Sequence, residues 1–361
     1  MENFIQNLCE RVKSAVAANT PLAIHGGRSK SFYGGARVGD ALDMRDYNGI
    51  IDYQPRELVL TVRAGTSLAA IEAVMDQEQQ MLAFEPPRFG DGNTALATIG
   101  GTVAAGLSGP RRPYVGAVRD FVLGARVVNG NGDDLRFGGR VIKNVAGYDV
   151  SRLMAGAMGT LGILTDLSFK VLPKPSAEVT LQFDFDEATA IQRFNEWAGQ
   201  PLPLSGATWY DGVATLRLSG AVAGVAAAKS KLGGDVMDAV AAPKFWQSLR
   251  DQQHVFFNTT APLWRLSVPQ TTPPLAAKSP QLIEWGGGVR WLAGATDAGS
   301  LREIAAKVGG HATLFRDGEA GGYKAGGVFH PLPDKLAAIH RNLKAAFDPH
   351  NILNRGRLDN F

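Results

Sequence analysis

The stretch IHGGRSKSFYGG, residues 24–35, decides how the rest of the chain is read. It follows a short apolar run that starts at Pro21 and stops abruptly at tandem glycines. A strand ending this way exposes successive backbone N–H groups, and such a concave nest binds a phosphate. Arg28, Ser29 and Lys30 add donors and positive charge beside Gly26 and Gly27. An ordinary glycine turn has the same local spelling, so this stretch alone leaves both readings open.

Outward from it, three more glycine clusters follow. EPPRFGDGNTALATIGGTVAAGLSG (85–109) opens with two prolines that remove backbone donors; Thr98, Gly100 and Gly101 then offer N–H groups to a closely approaching ligand. Gly90, Gly92 and Ala95 match a dinucleotide-fold spacing, but a prolyl loop precedes them in place of a strand, which argues against a βαβ unit. YVGAVRDFVLGARVV (114–128) carries the neighbours Arg119 and Asp120, read as a structural ion pair. KNVAGYDVSRLMAGAMGTLGILTDLSFKV (143–171) turns at Gly159–Ile163 into a strand, with backbone groups placed for an adenine edge. No P-loop spacing occurs.

The chain has 361 residues, 45% hydrophobic and 20% charged, with a net charge of +3. That length suits two globular domains. No Lys/Arg run forms a nucleic-acid footprint. The single Cys9 excludes an intrachain disulfide, a cysteine zinc site and an iron–sulfur cluster held by this chain, and a reducing, cytoplasmic setting follows as the expectation. The N-terminus lacks a secretory apolar stretch, and no segment reaches the ~20 apolar residues of a spanning helix, so membrane contact is expected only through partners.

Periodicity predicts helices at 2–18, 66–79, 187–198, 222–232, 243–253 and 334–349. Strands are predicted at 21–30, 57–65, 161–175, 178–185, 206–219 and 262–269, with a hairpin over 121–139 about the NGNGD turn. The Pro173–Pro175 stretch marks a boundary. The fold class is α+β: a domain over 1–175, a smaller second domain over 176–330, and a C-terminal helix and tail over 331–361.

In order and spacing, GGRS, ATIGG, SG, VGAVRDFVLG, KNVAGYD and GTLGILT resemble the FAD-binding domain of the vanillyl-alcohol-oxidase/p-cresol-methylhydroxylase (PCMH-type) family, over about residues 15–175. The tail FDPHNILNRGRL is similar to that family's C-terminal return to the flavin domain. The resemblance implies two subdomains clasping FAD under a smaller α+β cap. It places Gly26, Gly27, Arg28, Ser29 and Lys30 at the pyrophosphate. Pro87, Thr98, Gly100, Gly101, Ser108, Gly109 and Gly116 line the ribityl chain and flavin; Gly159, Gly162 and Ile163 meet the adenosine half; Asn354 reaches the flavin edge. Family members with covalent flavin often carry His where this chain has Arg28, so FAD is expected to be non-covalent, with His25 structural.

The short second domain, PLWRLSVP (262–269) and the tail resemble, within that family, the smaller FAD-binding subunits of bacterial glycolate-oxidising complexes. That implies a larger flavin subunit and an iron–sulfur subunit as partners, and a small 2-hydroxy acid as substrate. Oxidising such an acid requires a base, a cation for the carboxylate and an orienting group, often a metal. The H-x-G-D-G-N-x-H metal motif of related dehydrogenases is absent, and the six histidines show no ligand spacing. His330 is the candidate base, against a blander part as a loop residue capping the last helix. Arg265 is the candidate carboxylate anchor, with Arg111 and Arg112 as further candidates. The tryptophans of the second domain are either core or a partner surface. Three functions remain open: a subunit that oxidises glycolate and passes electrons to an iron–sulfur partner, an electron-relay or assembly subunit beside a catalytic larger chain, and a stand-alone flavin oxidase.

Overall fold

The structure is a computed structural model, and it describes residues 2–90, 97–139, 149–277, 279–294 and 297–358. The chain divides into two compact units. One comprises Met1–Leu107, Gly116–Pro173 and Pro331–Phe361; the other comprises Ser108–Val115 and Lys174–His330.

The first unit starts with the helix Glu2–Ala17, whose Ile5, Leu8, Val12 and Ala15 recur at helical spacing and are all buried. They pack in one core with Leu22, Met44, Val128, Ile163, Ile352 and Leu353. The strand Leu22–His25 runs parallel to Asp40–Asp43. The C-terminal tail lies along its other side: Leu22 donates its N–H to Ile352 O at 2.7 Å, and Asn354 donates to Leu22 O at 3.0 Å. Beside this pair stands a five-stranded antiparallel sheet, in the order Ile50–Gln54, Val59–Arg63, Ile163–Lys170, Val122–Val128, Asp134–Gly138. The NGNGD turn closes the last hairpin because Asn129 Oδ1 accepts from the N–H groups of Asn131 and Asp133, each at 2.9 Å. Ser67 caps the helix Leu68–Gln77 by accepting from Ala70 N–H at 3.2 Å.

The second unit is built on an eight-stranded antiparallel sheet. Helices Glu187–Ala198 and Val222–Leu232 cover the half containing Ala177–Asp184, Leu204–Tyr210 and Val213–Gly220. The helix Ala298–Lys307 covers Leu263–Ser267, Val289–Ala293 and His311–Arg316. The expected single strand 206–219 is in fact a hairpin turning at Asp211–Gly212, both at positive φ (49° and 84°). Asp-Gly is the residue pair this tight turn selects, so the signal was present in the sequence. Short strands such as Gln281–Glu284 escaped prediction: they are separated only by Trp285–Gly288, where Gly286 and Gly287 also have positive φ. Trp197, Trp246, Trp264, Trp285 and Trp291 are buried and Trp209 packs against the core that holds Trp197, so these rings are core rather than surface. No helix among the described residues is long and apolar enough to cross a membrane.

Candidate cofactor site

The end of the strand Leu22–His25 opens into a cavity of the first unit lined by Gly26, Gly27, Arg28, Ser29 and Lys30. Arg28 sits in the left-handed region at φ 61°, an uncommon conformation for a residue with a side chain. Ser31 holds it there, donating both its N–H and its hydroxyl to Arg28 O at 3.0 and 2.7 Å. The N–H groups of Gly27, Arg28 and Ser29 donate to no atom of the described residues. Three adjacent unused donors in a left-handed turn form a nest for an anion. Lys30, Arg37 and Arg357 line the same cavity, and no carboxylate does among the described lining residues.

Two of these cations are held by the fold. Arg357, from the tail, is buried and donates to Tyr33 O and Gly35 O, both at 2.5 Å. Burial, with Arg37 nearby, pushes its guanidinium down to about 10, which leaves it charged at neutral pH. Arg28 donates from Nη2 to His25 Nε2 at 2.7 Å. An arginine has no acceptor, so His25 must present a lone pair there and carry its proton on Nδ1, which faces Gly26 O at 3.3 Å and Asp43 Oδ1 at 3.7 Å. Burial, partly offset by the Gly26 carbonyl and Asp43, and the charges of Arg28 and Arg37 hold His25 below its ordinary pKa and therefore neutral. His25 is thus a positioning residue for the Arg28 guanidinium.

The second glycine cluster reaches the same cavity but is used differently. Thr98, Gly100 and Gly101 line it at the start of the helix Ile99–Ala105. Their N–H groups were expected to serve a ligand. Gly100 instead donates to Ala64 O at 2.8 Å and Gly101 to the Thr98 hydroxyl at 3.3 Å, as Ile99 does to Thr66 O at 2.9 Å; of the three, the Thr98 N–H alone donates to no atom of the described residues. A Cβ on Gly100 would lie 2.7 Å from Ala64 Cβ, and one on Gly26 would overlap the Thr98 side chain. Glycine is needed here because protein segments touch one another.

Gly159 and Gly162 also line the cavity, and they too are tightly packed, Gly159 against the Asn354 amide and Gly162 against Val127. Asn354 lines the cavity as a clip. Its Oδ1 accepts from Ile24 N–H at 2.7 Å and its Nδ2 donates to Met158 O at 2.6 Å, so its amide is committed to the backbone. Five expected contributors, Pro87, Ser108, Gly109, Gly116 and Ile163, are not among the lining residues. The Ile163 side chain is fully buried in the core under the first helix. Gly116, at φ 107°, makes the turn in which Asp120 accepts from Ala117 N–H. Ser108 and Gly109 belong to the second unit, where Gly109 O accepts from Trp285 Nε1 at 3.1 Å. Residues 91–96 and 143–148 of the glycine clusters lie outside the described residues. Sequence reading missed Arg37 and Arg357, although Arg357 stands in the NRGRL tail already expected to return to this domain.

In the second unit, the Arg265 guanidinium lies 4.8 Å from the Trp285 ring centroid and 5.8 Å from that of Trp291; Arg112 lies 4.4 Å from Trp285. Arg111 is buried and donates to Glu178 at 2.9 Å, so its charge is already used. His330 Nδ1 accepts from Ala312 N–H at 3.4 Å; burial, and then Arg302, hold its pKa low. Among the described residues no three His, Cys, Asp or Glu side chains assemble as metal ligands.

Free backbone donors, flanking cations and the absence of a lining carboxylate fit the pyrophosphate of a dinucleotide. Residues 5–138 match the family described as FAD binding domain, and FAD is the cofactor of this oxidoreductase class. The chain is 45% identical to glycolate oxidase subunit GlcE of Escherichia coli (strain K12), over 99% of this chain and 97% of that one, and it belongs to that protein's family. Glycolate oxidase subunit GlcD of Bacillus subtilis is 38% identical over 40% of this chain and 29% of its own length. The structure of p-cresol methylhydroxylase with substrate bound aligns at a TM-score of 0.70 with 16% identity, covering 98% of this chain and 87% of that one, which fixes the PCMH-type α+β fold.

Proposed function

We propose that this chain is the smaller FAD-holding subunit of a complex that oxidises glycolate, or a similar small 2-hydroxy acid, and sends the electrons to an iron–sulfur partner. The observation that carries this reading is the nest at Gly27–Ser29 with its cations, in a chain similar to a glycolate oxidase subunit along nearly its whole length. Gly27, Arg28 and Ser29 would hold the pyrophosphate through backbone N–H groups, with the side chains of Arg28, Lys30, Arg37 and Arg357 neutralising it. FAD supplies hydride acceptance from the carbon bearing the hydroxyl, and then electron release. His25 supports a non-covalent cofactor, because its Nε2 lone pair is engaged by Arg28 and is not available as a nucleophile. The lone Cys9 fits electron exit through another chain, and membrane contact in a cytoplasmic setting would come through that partner.

Arg265, with Arg112 beside the same tryptophan, is the proposed anchor for the substrate carboxylate, and His330 the proposed base that takes the hydroxyl proton. One observation favours a second reading, in which a larger flavin subunit performs the oxidation and this chain relays electrons or supports assembly: the His330 Nδ1 lone pair faces the Ala312 N–H. Anaerobic addition of glycolate to the FAD-loaded chain separates the two. Bleaching of the flavin absorbance by the chain alone supports oxidation here. Bleaching only after the larger subunit is added supports the relay, and no bleaching by glycolate in the full assembly contradicts both.

A further inference from the structure

The last helix of the first unit, Asp334–Phe347, is amphipathic yet has no buried residue. Leu336, Ile339 and Leu343 fall on one stripe at the i, i+3, i+7 spacing that normally faces a core. Leu336 is nevertheless 41% exposed and Ile339 54%. A single exposed leucine needs no explanation, but an apolar stripe beside a cleft does. The cleft, about 360 Å³, runs between this helix and residues 153–161, with Leu343 on one wall. No carboxylate lines it among the described residues, whereas Arg119 and Arg355 do. Arg119 forms the ion pair with Asp120 read from the sequence, at a loose 4.0 Å, while Arg355 makes no ion pair among the described residues and donates its Nε–H to Asn351 O. Lys344, a further cation among the described lining residues, is already paired with Asp348 at 2.6 Å.

The cleft also shares a wall with the cofactor cavity. Asn354 lines both, and along residues 157–160 the chain gives Met158 and Gly159 to the cavity and Ala157 and Thr160 to the cleft. An occupant would therefore lie one layer of residues from the cofactor.

We propose that this cleft and helix face form the docking site for a partner protein, through an apolar segment that carries Asp or Glu residues. Arg355 without a carboxylate and Arg119 only loosely paired, at the edge of an apolar floor, select that chemistry, by charge complementarity at the rim and burial at the centre. The inference rests on the reading of this chain as a subunit of a complex. It is tested on the full chain, loaded with FAD and assembled with the larger flavin subunit and the iron–sulfur subunit. A photo-cross-linking residue at position 339 should attach to one segment of one of these subunits, rich in apolar and acidic residues. Ile339→Glu should weaken assembly at least about tenfold, as should Arg355→Glu to a smaller extent, while FAD content and melting temperature stay at wild-type values. Unchanged assembly by Ile339→Glu, or cross-links to a second copy of this chain or to a basic segment, overturns the docking assignment and leaves the subunit reading standing. Failure of the wild-type chain to bind either subunit overturns both.

Discussion

The two glycine-rich segments at the cofactor cavity, residues 26–30 and 98–101, look alike in sequence and do opposite things. In the first, the N–H groups of Gly27, Arg28 and Ser29 have no partner among the described residues. In the second, the N–H groups of Ile99, Gly100 and Gly101 are taken by protein oxygens, and only that of Thr98 has no partner among the described residues. A glycine in a binding loop can therefore serve the ligand or serve the packing that shapes the loop, and the backbone hydrogen bonds tell which. The contrast also explains why Arg28 tolerates a left-handed backbone: the turn that aims three N–H groups into the cavity requires it.

Substitution at the packing glycines should break the comparison most severely. Gly100→Val would drive a branched side chain into Ala64, with a loss of roughly 1–3 kcal/mol typical of overpacking, and more if the helix Ile99–Ala105 shifts. Thermal unfolding of the apo chain should show it as a lower Tm without any cofactor present. An unchanged Tm would mean that the tight approach to Ala64 is dispensable.

The ligand loop should respond in the other way. Arg28→Ala removes a cation and its contact with His25 but no core packing, so apo stability should barely change. FAD affinity should fall about tenfold or more, the scale of one charge-assisted hydrogen bond, as read by flavin fluorescence titration. An equal loss of Tm and affinity would place Arg28 with the packing residues.

A smaller effect should come from the residue behind it. His25→Leu deletes the acceptor that positions Arg28 and should weaken FAD several-fold, less than Arg28→Ala itself. His25→Gln, which keeps an acceptor, should recover most of the loss; a structural requirement for the imidazole shape would leave both variants equally impaired.

Much of this was legible in the sequence. The apolar spacing of Ile5, Leu8 and Val12, the Ser67 cap and the NGNGD turn are local signals, and each produced the element it announces. The glycine loop at 26–30 was legible as a candidate site only together with the order and spacing of the other clusters, since an ordinary glycine turn has the same local spelling. What sequence could not separate was glycine for a ligand from glycine for packing, since Gly100 and Gly162 owe their identity to Ala64 and Val127, residues far away in the chain. The cation set was half visible for the same reason: Arg357 joins the site only because the tail pairs with Leu22.

The smallest expected effect concerns pH. His25, His254, His311 and His330 are all held below their ordinary pKa, chiefly by burial. A folded-state pKa below the unfolded value of about 6.5 means that the unfolded chain binds more protons below that pH. Stability should therefore be full above that value and decline as the pH falls toward the folded values. Three of the four residues lie in the second unit, so His25→Gln should remove only a minor share of the acid-induced drop in Tm. A Tm that rises on acidification from pH 7 to pH 5 would reverse the assigned direction.

Hydrogen exchange of the apo chain, with and without added FAD, tests the contrast between the two loops directly. The amides of Gly27, Arg28 and Ser29 should exchange fast in the apo chain and become protected when FAD binds, while those of Ile99 and Gly100 are already protected and change little. Protection gained at 99–101 with none at 27–29 would contradict the assignment of the pyrophosphate to the first loop.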